Sequence, residues 1–195
     1  LAIFQIAMIS RYPAATDTDS VAYLAYADLL VNSFATGDFG WAQHLDLEAG
    51  LNSWKDYQWE RPDTYRMVGY PMFIALSKIL AGENFEIWVL GLQAILTYIT
   101  TLFVYAATLE VSKHKVWAAV GALSYALSPI VFSQNAFLSD CLYSSLLAMS
   151  FCLAVISFYK NTNIYRRSLI IGILLGLSFF VREVTVTLVA FLPLF

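Results

Sequence analysis

Hydrophobic positions fall in long unbroken runs in the second half of this chain and in short runs broken by polar residues in the first half. Residues 87–109, 116–134 and 141–159 are apolar stretches of 23, 19 and 19 residues without Asp, Glu, Lys or Arg. About 20 such residues are needed to cross a bilayer as a helix, so each is predicted to span. Residues 168–181 make a shorter apolar run of 14, followed by Arg182-Glu183 and by a further apolar run over 184–195. That pattern fits either one helix with a buried charge or two helices meeting at Arg182. The first nine residues are apolar but too few to span. We read 1–10 as the end of a truncated first transmembrane helix, stopped at the interface by Arg11-Tyr12-Pro13. Because the chain ends inside an apolar run, further C-terminal helices are expected beyond it.

Residues 11–86 form a polar segment of different texture, with eleven acidic residues between positions 14 and 86. A helix is predicted over 20–35, started by Asp19 as N-cap and closed by Gly37. A second is predicted over 70–81, with Pro71 at its start and Gly82 past its end. Met72, Phe73, Leu76, Ile79 and Leu80 make its apolar stripe, with Ser77 and Lys78 off it. At about a dozen residues it is too short to span and is expected to lie in the membrane interface. Between the two helices, Trp41, Trp54, Tyr57 and Trp59 suit headgroup depth or a sugar ring.

Composition agrees with a membrane protein: 59% of residues are hydrophobic and 13% charged, about half the charged share of a soluble domain. The net charge of −3 excludes a basic footprint for nucleic acid. The predicted fold is an all-α, polytopic transmembrane helix bundle with a long first loop carrying short interfacial helices. Lys113 and Lys115 lie between the first two full spans, and Lys160, Arg166 and Arg167 follow the third. If the helices alternate, all five face one side, which the positive-inside rule makes cytoplasmic. The acidic segment and the turn over 135–140 then share the extracytoplasmic side, where Asp17, Asp19 and Asp140 can converge.

Each candidate group has a structural use beside its chemical one. Asp19 can accept a proton, ligate a hard cation or cap a helix. Asp140 opens a predicted helix, where a carboxylate also complements the helix dipole. Arg182, beside an apolar run, needs either a partner or a function. Glu183 fits the first and a phosphate the second. Arg61, Arg66 and Lys78 add positive charge where an anionic lipid head would sit. His44 and His114 have no ligand spacing to another His or Cys, so a zinc site is not indicated. Cys141 and Cys152 are separated by about 16 Å of helical rise, too far for a disulfide. No nucleotide-binding loop or nucleophile elbow is present.

Three patches then carry a family likeness. Asp19-Ser20-x-x-Tyr23-Leu24-x-x-Ala27, Gly37-Asp38-Phe39 and Tyr65-Arg66-x-x-Gly69-Tyr70-Pro71-x-Phe73 form the first. The second is Leu138-Ser139-Asp140-x-Leu142-Tyr143, and the third Gly172-x-x-x-Gly176-Leu177-x-x-x-x-Arg182. Together they resemble the N-terminal half of polytopic, lipid-linked glycosyltransferases of the C-type fold, the group of protein mannosyltransferases and aminoarabinose transferases. Val68 stands where that family often has Pro, and a basic residue, Arg66, stands where some members carry a metal-binding acid.

The resemblance implies roles. Asp19 matches the first-loop acid that acts as base or positions the acceptor. Asp140 matches an acid of the second outer loop, and Asp17 is a further position for a metal or the acceptor. Arg66 and Arg182 fall where basic residues meet the lipid phosphate. The implied activity is transfer of a sugar from a polyprenyl-phosphate donor to a lipid, glycan or protein acceptor. It would take place on the extracytoplasmic face of a cell inner membrane or the endoplasmic reticulum, with a divalent cation as a possible cofactor. A transporter or lipid flippase, or a noncatalytic subunit of a membrane complex, is the alternative.

Overall fold

The computed structural model describes residues 18–38, 67–128, 139–160 and 164–182. Among these the chain is all-helical, with no strand. The elements are α1 (Thr18–Thr36), α2 (Gly69–Ala81), a 3₁₀ turn (Gly82–Asn84), α3 (Phe85–Ser112), α4 (Lys115–Ala126), α5 (Ser139–Lys160) and α6 (Ile164–Val181). Among the described residues three apolar stretches are long enough to cross a membrane: Gly69–Ser112, Ser139–Lys160 and Ile164–Val181.

The first of these stretches is broken at Gly82. There φ is 55° and ψ −126°, a backbone state that L side chains rarely adopt. The chain reverses at this point. Tyr70 and Gln93 are 23 residues apart and hydrogen-bonded, where a continuous helix would separate them by about 35 Å. α2 therefore folds back along the first turns of α3, beside a candidate span rather than apart from it. The 28 residues of α3 rise about 42 Å, more than a hydrocarbon core requires.

Burial corrects the predicted faces. α2 buries Tyr70, Pro71, Ile74, Ala75 and Ser77. Leu76, Ile79 and Leu80 of its apolar stripe are exposed, Leu80 by 76%. Ser77 is inside, its hydroxyl donating to the Phe73 carbonyl at 2.9 Å. On α3 the buried face carries Gln93, Thr97 and Thr100 together with Val89, Leu90 and Ala107, while Ile87, Trp88, Ile95 and Leu102 point outward. A rule made for water places the apolar stripe inside. In hydrocarbon, large apolar side chains gain nothing by hiding from the solvent, and small or polar residues make the helix contacts. Thr97 and Thr100 also donate to carbonyls one turn back, Gln93 and Leu96, so their hydroxyls are satisfied within α3.

Boundaries differ in three places. α1 already includes Thr18 and Asp19, so Asp19 stands within the helix rather than at its cap. Pro71 is the third residue of α2, where the missing N–H has no intrahelical acceptor to lose. The span predicted over 116–134 is not one helix: α4 ends at Ala126, and its 12 residues are too few to cross. The run 1–10 and the apolar run 184–195 lie outside the described residues.

Two glycines allow close approach. A Cβ on Gly69 would come within 2.4 Å of the Phe180 carbonyl oxygen, because the start of α2 abuts the end of α6. A Cβ on Gly121 would meet the Thr108 hydroxyl at 2.8 Å, where α4 packs on α3. At the opposite end of the structure, Glu110 holds Lys113 at 3.1 Å and Lys160 at 2.6 Å. This ties the C-terminal ends of α3 and α5 together and sets those helices parallel. The connections bearing Lys113, Lys115, Lys160, Arg166 and Arg167 are thus gathered at one end.

Candidate functional site

The other end carries the candidate chemistry. α5 and α6 form a hairpin whose open end brings together residues 42 apart in sequence. Asp140 stands in the first turn of α5, and Arg182 follows the last residue of α6. The Arg182 amide still donates to Ser178 O at 2.9 Å, so the helical path fixes where its side chain starts. Arg182 Nη1 donates to Asp140 Oδ1, forming an ion pair. The guanidinium also lies 5.9 Å from the centroid of the Tyr143 ring, within cation–π range. Both partners of the pair are partly open to solvent, 40% for Arg182 and 39% for Asp140. The sequence offers Glu183 as a partner for Arg182. Among the described residues Asp140 is a partner, and Glu183 lies outside them.

A buried polar seam runs next to this pair. Tyr23 Oη and Ser139 Oγ are hydrogen-bonded at 3.0 Å across 116 residues. The Tyr23 ring meets the Tyr70 ring edge-on, with centroids 4.9 Å apart. Gln93 Nε2 donates to Tyr70 Oη at 2.8 Å, and Thr97 Oγ1 lies 3.5 Å from Cys141 Sγ. The seam joins α1, α2, α3 and α5, and it ends at the residue before Asp140. Gln93 Oε1 is buried with no hydrogen-bond partner among the described residues.

Of the predicted site residues, the structure joins Asp140 and Arg182 directly. Asp19 lies on α1 one turn before Tyr23, so its backbone belongs to the same end. Asp17 and Arg66 lie outside the described residues. Lys78 is engaged elsewhere: its ammonium meets Asp28 at 2.5 Å and sits 4.8 Å from the Phe85 ring centroid. It fastens α1 to α2. Cys141 and Cys152 are free thiols on α5. Among the described residues no three His, Cys, Asp or Glu side chains are gathered as metal ligands. The Asp140 carboxylate faces a guanidinium, which opposes a second cation beside it.

Gln93 is the residue the sequence analysis passed over. It is the one amide in the apolar run 87–109, and with Thr97, Thr100 and Thr101 it repeats at helical spacing. That periodicity marks a buried polar face in an apolar run. No family model, curated protein or solved structure matches the chain.

Proposed function

We propose that this chain is part of a polytopic membrane glycosyltransferase. It moves a sugar from a polyprenyl-phosphate donor to an acceptor on the extracytoplasmic face. The observation that carries the reading is the meeting of separate motif segments at one end of the helices. Tyr23 of the first patch bonds Ser139 of the second, and Asp140 of the second pairs with Arg182 of the third. The basic connections at the other end support the orientation, since positive charge favours the cytoplasmic side. A cationic group and carboxylates at the mouth of apolar helices suit a donor whose tail stays in the bilayer.

In this reading Asp19 takes the proton of the acceptor hydroxyl. The acceptor oxygen bonds to the anomeric carbon as the bond from that carbon to the phosphate oxygen breaks. Polyprenyl phosphate leaves with the electron pair, and Arg182, with Arg66, offsets the charge growing on it. The test is incubation of membranes with labelled polyprenyl-phosphate sugars. Asp19→Asn is expected to lose transfer while the protein level is kept. Transfer at the wild-type rate removes Asp19 from the chemistry, and no transfer by the wild type with any such donor removes the activity.

A further inference from the structure

Arg182, the group assigned to the donor phosphate, already holds an anion of the protein's own. We propose that Asp140 is a built-in stand-in for that phosphate: it occupies the Arg182 guanidinium until donor binds, and the donor phosphate then exchanges with it. This rests on the glycosyltransferase reading. The planar fork of a guanidinium suits a carboxylate and a phosphate alike, so the two compete for one set of donors. The pair is reachable from solvent, at 40% and 39% exposure. Half-solvated pairs are weakly held, so exchange is cheap. Both partners also keep a second hold once separated. The Tyr143 ring stays under the guanidinium, while Asp140 remains in the first turn of α5, where the helix dipole favours a negative charge. The phosphodiester of a lipid-linked sugar carries one negative charge and replaces one, so the charge balance at Arg182 is unchanged. The exchange releases the Asp140 carboxylate only after the donor has arrived. An acceptor hydroxyl then finds a free carboxylate beside the loaded phosphate, which orders binding with the donor first.

The experiment measures binding of polyprenyl-phosphate sugars to the detergent-solubilised full-length protein by tryptophan fluorescence. Thermal unfolding shows that each variant is folded. Asp140→Asn is expected to bind about two- to fivefold more tightly than wild type, the factor set by removal of a weak competing pair. Arg182→Gln is expected to lose binding. Arg182→Lys keeps the charge but not the fork and is expected to bind more weakly than wild type. Unchanged or weaker binding by Asp140→Asn, with binding still dependent on Arg182, overturns the exchange and leaves the glycosyltransferase reading standing. Absence of binding by the wild type and every variant overturns both. Inorganic phosphate is expected to leave the signal unchanged; if it binds as tightly as the lipid, with the same dependence on both residues, the lipid donor is overturned as the ligand.

Discussion

Gln93 and Tyr70 show how a single polar side chain matters inside apolar helices. Both are fully buried, and the Gln93 amide supplies the hydrogen bond to the Tyr70 hydroxyl. Gln93→Leu leaves that hydroxyl buried without its donor, a loss of about 1–3 kcal/mol, offset in part because Gln93 Oε1, unpaired among the described residues, is removed as well. Tyr70→Phe in the same chain removes the stranded group, so the double variant is expected to recover much of the loss. Unfolding of the four proteins in one detergent measures the cycle, and strictly additive losses would show that the bond contributes nothing. The Asp140–Arg182 pair poses the same kind of question at the rim. Neither residue by itself announces the other, because Glu183 is the nearer acid in sequence. The register of the α5–α6 hairpin brings Asp140 to Arg182.

At the level of elements, glycine decides where helices turn and how closely they meet. Gly82 has φ +55° with nothing within 4 Å of an added Cβ, so its constraint is the backbone alone. Gly82→Ala is expected to cost about 1–3 kcal/mol, through strain at the α2–α3 reversal. Gly69 has the opposite problem: its φ is ordinary, but a Cβ there meets the Phe180 carbonyl. Gly69→Ala forces α2 away from α6 at a cost of about 1–3 kcal/mol. Under the proposed glycosyltransferase reading it is also expected to reduce sugar transfer, since the displaced end of α6 carries Arg182. Thermal unfolding and transfer assays of the two variants separate the cases: Gly82→Ala lowers stability first, whereas Gly69→Ala lowers both together. Wild-type stability in Gly69→Ala would show that the close approach is dispensable. Helix ends such as Gly37 and Gly82 were legible because glycine favours positive φ. Helix faces were not, because Leu76, Ile79 and Leu80 of the apolar stripe of α2 turn outward while Met72 and Phe73 pack against the core.

Across the whole molecule, charge is polarised along the helices. The connections tied by Glu110 carry Lys113, Lys115, Lys160, Arg166 and Arg167 at one end. Asp140, Arg182 and the start of α1 occupy the other. The orientation proposed above therefore predicts that Lys115→Cys and Asp38→Cys, made in a chain with Cys141 and Cys152 replaced by Ser, are labelled from opposite sides of sealed vesicles. A membrane-impermeant maleimide reads the result, and labelling of both from one side would sink the arrangement. His114 and Lys115 are exposed at the α3–α4 turn and Asp38 just past α1, so both reporters are accessible to the reagent.

Local rules acting on the sequence were enough for the helical class, for the ends set by Gly37 and Gly82, and for two of the three predicted spans, those over 87–109 and 141–159, while the one over 116–134 was not found. Hydrophobic run length and glycine's freedom at positive φ are properties of a short window of chain. Which faces turn inward, that α4 stops at Ala126, and that Tyr23 reaches Ser139 while Arg182 reaches Asp140 came only from the packed helices. Those contacts join residues 42 and 116 positions apart. Their partners are chosen by the rotation and register of one helix against another, which small and polar side chains at the interface determine and which no local period encodes.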